Sequence, residues 1–108
     1  MSEKITIRLV KSVYFLATKF EAFKGRGKSD WLGSRDIEDI LNLVDGRVEL
    51  FEEIRNAAAD VKSYLAFEFR TLLDSPDIAY AVQSLAAGDT GREHLVFDRI
   101  KRIAELTT

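Results

Sequence analysis

The sequence predicts an all-α protein, a bundle of five or six helices preceded by one short N-terminal β-strand. Three observations carry that prediction. Apolar residues recur at spacings of three and four through most of the chain, glycine, proline or a good N-cap punctuates the periodic stretches, and strict alternation occurs once, near the N-terminus. At 108 residues, 46% apolar and 31% charged, the chain fits one globular domain over 1–108 rather than a disordered tract.

Residues 4–10, KITIRLV, alternate Ile5, Ile7 and Leu9 with Lys4, Thr6 and Arg8, the period of a half-buried strand. A single strand leaves its N–H and C=O groups seeking a partner, either another subunit or a missing segment of the same protein. From Ser12 the period turns helical through Val13, Leu16, Phe20 and Phe23, and this first helix should end near Gly25. Lys19 has Phe15, Ala22 and Phe23 as its helix neighbours, so its stem should lie on apolar surface with the ammonium reaching out.

Gly25 to Gly33 reads as a loop by its three glycines, with Arg26 and Lys28 interleaved. The loop lacks the spacing of a P-loop, and a basic hairpin tip and a phosphate cradle are both compatible with it. Ser34 is a good N-cap for the second helix, whose apolar stripe is Ile37, Ile40, Leu41 and Val44 and which closes at Asp45-Gly46. Asp36 falls at the border of that stripe, in the first turn where the helix dipole favours a carboxylate, and Asp39 points further from it.

Two helices, about 47–55 and 58–73, continue one stripe through Leu50, Ile54, Val61, Leu65, Phe69 and Leu72. Tyr64 and Phe67 widen the apolar surface of the second, which should be central. Ser75-Pro76 starts a short helix to about Ala86, and after a loop a last helix buries Val96, Phe97, Ile100, Ile103 and Ala104. Arg99, Lys101 and Arg102 should form its solvated side, and His94, the single histidine, should be at the surface.

Composition narrows the function classes. Without cysteine, a disulfide framework, a thiolate metal site and a cysteine nucleophile are excluded, and no His/Asp/Glu spacing resembles a zinc site. No apolar run reaches the 18 to 20 or so residues of a membrane span, and MSEKITIRLV lacks a signal-peptide core, so a cytoplasmic protein with no membrane partner is expected. The net charge of −2 divides unevenly: residues 1–28 carry +5, residues 29–60 carry −6, and the rest is nearly neutral. That balance does not provide a domain-wide nucleic-acid footprint, but it leaves room for a local phosphate site where Lys19, Arg26 and Lys28 meet the acids of the second helix.

The run from Ile7 to Arg47 resembles the C-terminal part of the AbiEii/AbiGii-type nucleotidyltransferase toxin family. The features are Lys19 within LATKFEAF, the basic loop GRGK with Arg26 and Lys28, the D-x-x-D formed by Asp36 and Asp39, and Asp45-Gly46-Arg47 after it. The resemblance covers about residues 5–75. It implies transfer of a nucleotidyl group from an NTP, with Mg2+, to an acceptor that for some members is tRNA, in toxins paired with antitoxins. It implies that Lys19 neutralises nucleotide phosphate and that Asp36 is a functional carboxylate, with Arg26 and Lys28 as further phosphate contacts and Asp39 in support. Such equipment suits a reaction that depends on positioning and charge neutralisation.

The family also places metal-binding carboxylates on strands of an N-terminal half. No D-x-D sequence occurs in these residues, and the chain is expected to start after that half has ended. Three expectations follow. The chain is a C-terminal helical domain, not catalytic alone, with a phosphate-binding surface; or a non-enzymatic module that uses the strand at 4–10 or the helix hairpin to pair with another copy or to join a toxin-like partner; or one half of a split nucleotidyltransferase whose N-terminal half joins through that strand, with an antitoxin-like protein as a further partner.

Overall fold

The computed structural model describes the backbone of residues 2–25 and 34–106, and the side chains from Lys11 onward within those ranges. Among the described residues the chain is entirely helical: α1 (Ser2–Gly25), α2 (Arg35–Gly46), α3 (Leu50–Arg55), α4 (Ala59–Asp74), α5 (Ile78–Ala86) and α6 (Thr90–Ala104). The six helices wrap one core in which Leu16, Phe20, Ile40, Ile54, Leu65, Phe69, Val96 and Ile100 are fully buried.

The expected strand is a correction. Residues 4–10 lie inside α1, which is one helix from Ser2 to Gly25. Ile5, Leu9 and Val13 stand four apart as well as on a period of two, so the same residues satisfy a helical spacing. With no strand among the described residues to pair with, an extended segment would leave its backbone groups unsatisfied, whereas a helix bonds them internally. The strand-mediated route to a partner therefore has no strand to use.

The other boundaries follow local chemistry. Ser34 Oγ accepts from the Ile37 N–H at 3.2 Å and starts α2, whose Ile37, Ile40, Leu41 and Val44 all face the core. Gly46 is its last helical residue, and the Arg47 N–H bonds the Leu43 carbonyl at 3.0 Å, so the helix ends without a left-handed glycine. Ser75 Oγ accepts from the Asp77 N–H at 3.2 Å, which makes Ser75-Pro76 a turn ahead of α5 rather than its first residues. Ala87 adopts a left-handed conformation (φ 51°) to end α5, and Asp89 then caps α6 by accepting from the Arg92 N–H at 3.1 Å.

α4 touches α1, α3, α5 and α6, as a central helix should. Phe69 meets Phe20 of α1 edge to face, ring centroids 5.1 Å apart, and this contact joins the two longest helices. Val61, expected in the core, is only half buried because it lies in the first turn of α4, where the helix is entering the bundle. No described helix is long and apolar enough to cross a membrane.

Candidate phosphate site at the corner of the first two helices

Lys19 sits on α1 between Leu16 and Phe20, which are buried, so its Cα lies at the core boundary and its stem runs out between the helices. The ammonium stands 5.4 Å from the centroid of the Phe15 ring, one turn earlier. Packing of α1 on α2 brings the first two turns of α2 opposite. Lys19 Nζ lies 2.8 Å from Asp39 Oδ2 and 3.8 Å from Asp36 Oδ1. The lysine and the two acids expected from the sequence thus converge.

The two carboxylates differ in setting. The Asp36 side chain is 4% exposed and that of Asp39 30%, with Lys19 at 25%. Asp36 occupies the first turn of α2, against the positive end of the helix dipole, and its burial is made tolerable by that dipole and by the ammonium. Asp39, almost one turn on, reaches the ammonium from the rim. Arg26 and Lys28 lie outside the described residues. No group of three or more His, Cys, Asp or Glu suited to a metal ion occurs among the described residues. Two clefts, of 260 Å3 between α2 and α5 and 210 Å3 between the α2–α3 turn and α6, are not lined by Lys19, Asp36 or Asp39.

Three further charge clusters tie helices together, and local spacing did not reveal them because each includes a partner more than 40 residues away in sequence. Arg47 grips Glu53 with two hydrogen bonds, and Ser12 of α1 donates to the same carboxylate at 2.6 Å. Glu53 is consequently held below the ordinary glutamate range, first by the Arg47 hydrogen bond and then by Ser12, against the opposing effect of burial. Lys24 of α1 donates to the buried Glu68 of α4 at 2.8 Å and lies near Glu21, while the Tyr64 hydroxyl donates to Glu21. Arg92 of α6 pairs with Asp45 at the end of α2.

The solvated face expected on α6 needs correction at Arg99. Arg99 is half buried and donates to the carbonyls of Val44 and Asp45 at 3.0 and 2.7 Å, and Arg102 lies over the Phe51 ring at 4.6 Å. Arg99 thus serves the packing of α6 on α2, while Lys101 and Arg102 are exposed, as expected. His94 is exposed, as expected.

Comparison with known proteins adds nothing to this geometry. No family model, curated protein or solved structure matches the chain.

Proposed function

We propose that the chain is a nucleotidyltransferase-like helical domain whose α1–α2 corner holds the phosphates of a nucleotide, with Lys19 as the cation and Asp36 as the buried acid beside it. The convergence of Lys19 with Asp36 and Asp39 carries the reading, because two helices separated by a basic loop deliver an ammonium and two carboxylates to one point. The resemblance to the AbiEii/AbiGii-type toxins supplies the substrate class, an NTP with Mg2+, and the basic loop residues Arg26 and Lys28 supply further positive charge. The family places the carboxylates that hold its metal ions on an N-terminal half, so on this reading residues 1–108 are not catalytic alone. An N-terminal nucleotidyltransferase half would provide them, tRNA would be the acceptor of the assembled enzyme, and an antitoxin-like protein its control.

Titration of ATP, GTP and CTP with magnesium tests it. At least one should bind, Lys19→Ala should weaken that binding about tenfold or more, and the variant should stay folded. Binding unaffected by Lys19→Ala, or no binding by the wild type, would remove the proposal. Incorporation of labelled NTP into tRNA by the purified chain would remove its non-catalytic part.

A second reading, a helical interaction module, is favoured by the apolar cleft beside α6, where Val48 is 76% and Leu95 43% exposed. A concentration-dependent mass in light scattering, abolished by Val48→Asp, would support it.

A further inference from the structure

The ammonium of Lys19 is already engaged by a side chain that a phosphate would have to displace. We infer that Asp39 is a built-in competitor for the anion at this corner, so that the site's affinity is set by how readily Asp39 gives Lys19 up. The inference rests on the reading of Lys19 as the phosphate ligand and concerns what regulates that ligand.

Three features assign the role to Asp39 rather than to its neighbour. Asp39 is the acid in hydrogen-bonding range, at 2.8 Å, whereas Asp36 at 3.8 Å acts on Lys19 through charge alone. Asp36 is enclosed, 4% exposed, and cannot leave without uncovering a buried charge; Asp39 is 30% exposed and reaches water by a rotation about its own side chain. Phe15 lies against the ammonium at 5.4 Å, and of the two carboxylates on α2 the more exposed, Asp39, is the one in hydrogen-bonding contact with it. Phosphate oxygens and carboxylate oxygens ask the same thing of an ammonium, and two anions crowded onto one cation repel.

The site is then a two-state device. With Asp39 on Lys19 the corner is closed and its ammonium already paired; with Asp39 turned to water an anion can enter. Exposed pairs of this kind outweigh their open state only a few-fold, so occupancy by Asp39 should weaken apparent binding by about two- to fivefold. A ligand carrying several negative charges pushes the equilibrium further than one carrying a single charge, which favours triphosphates over monophosphates at the same cation.

The test uses inorganic triphosphate and ATP with magnesium as probes on the full chain, by calorimetry at fixed ionic strength. Asp39→Asn should tighten binding of both by about two- to fivefold. Glu38→Gln, an equal change of net charge on an exposed neighbour, should leave affinity essentially as in wild type. Adding Lys19→Ala to Asp39→Asn should cancel the gain. Circular dichroism checks that each variant keeps its helix content.

If the wild type binds and Lys19→Ala does not, but Asp39→Asn binds no better, the competitor role fails and the phosphate site stands. Weaker binding by Asp39→Asn would make Asp39 part of the ligand's own seat, again overturning the inference alone. An equal gain from Glu38→Gln would reduce the effect to bulk charge. If neither the wild type nor Asp39→Asn binds either probe, both the inference and the site fall together.

Discussion

Replacing Arg47 by alanine should destabilise the bundle more than any other single change at its surface. Glu53 has a side chain only 3% exposed and is held by two hydrogen bonds from Arg47. Removing one partner of a buried pair costs about 3–5 kcal/mol, because the remaining charge stays desolvated. Arg47 itself is 37% exposed, so water screens part of the pair, and Ser12 still donates to the abandoned carboxylate. The expected loss is therefore nearer about 2–3 kcal/mol, equivalent to about 10 °C in Tm for a domain of this size. Glu53→Gln should cost less, since the stranded arginine can turn to water while the amide keeps its hydrogen bond from Ser12.

The pH dependence makes the argument specific. The folded Glu53 carboxyl lies below its ordinary range, so its contribution is present above the unfolded value near 4.3 and is lost as pH falls through the depressed folded value. Urea unfolding followed by circular dichroism at a series of pH values should show the gap between wild type and Arg47→Ala wide at pH 7 and closing below about pH 4. A gap under about 0.5 kcal/mol at pH 7, or one that stays constant into acid, would refute the assignment of a buried, ionised Glu53.

Other tests bear on different parts of the bundle. Arg99→Ala strips two donors from the last carbonyls of α2 and should cost about 1–2 kcal/mol in urea unfolding at pH 7, with the far-UV spectrum unchanged. Ala87→Gly relieves an alanine held in the left-handed region and should raise stability by about 0.5–1 kcal/mol, visible as a Tm a few degrees higher. Tyr64 has its phenol pushed up to about 12, first by burial and then by the hydrogen bond it donates to Glu21. Its contribution is full below the unfolded value near 10 and lost as pH rises through the folded one, so absorbance at 295 nm should show a late-ionising tyrosine that Tyr64→Phe removes.

Much of the helical fold was legible because the signals are local. The Ser34 cap and the stripe of α2 depend on residues within a few positions of one another, and the expected core is buried except for Val61 and Phe97, which are half buried. Residues 4–10 misled for the same reason: an alternating heptad is also compatible with a helix, and what distinguishes the two is whether a sheet exists to receive the strand. The convergence of Lys19 with Asp36 was guessed from a resemblance, since spacing on two separate helices does not say how they are rotated against each other.

The sequence by itself determined that helices form from Ser12 onward, most of their ends and which of their faces are apolar, because capping, dipoles and the 3.6-residue period act over a turn or two. Only the tertiary structure decided the long-range partnerships: Arg47 and Glu53 with Ser12 on α1, Lys24 with Glu68 on α4, Arg99 with the end of α2, and Asp39 rather than Asp36 in hydrogen-bonding contact with Lys19. Those pairings depend on helix rotation and offset, which the packing of the whole core sets and no local stretch encodes.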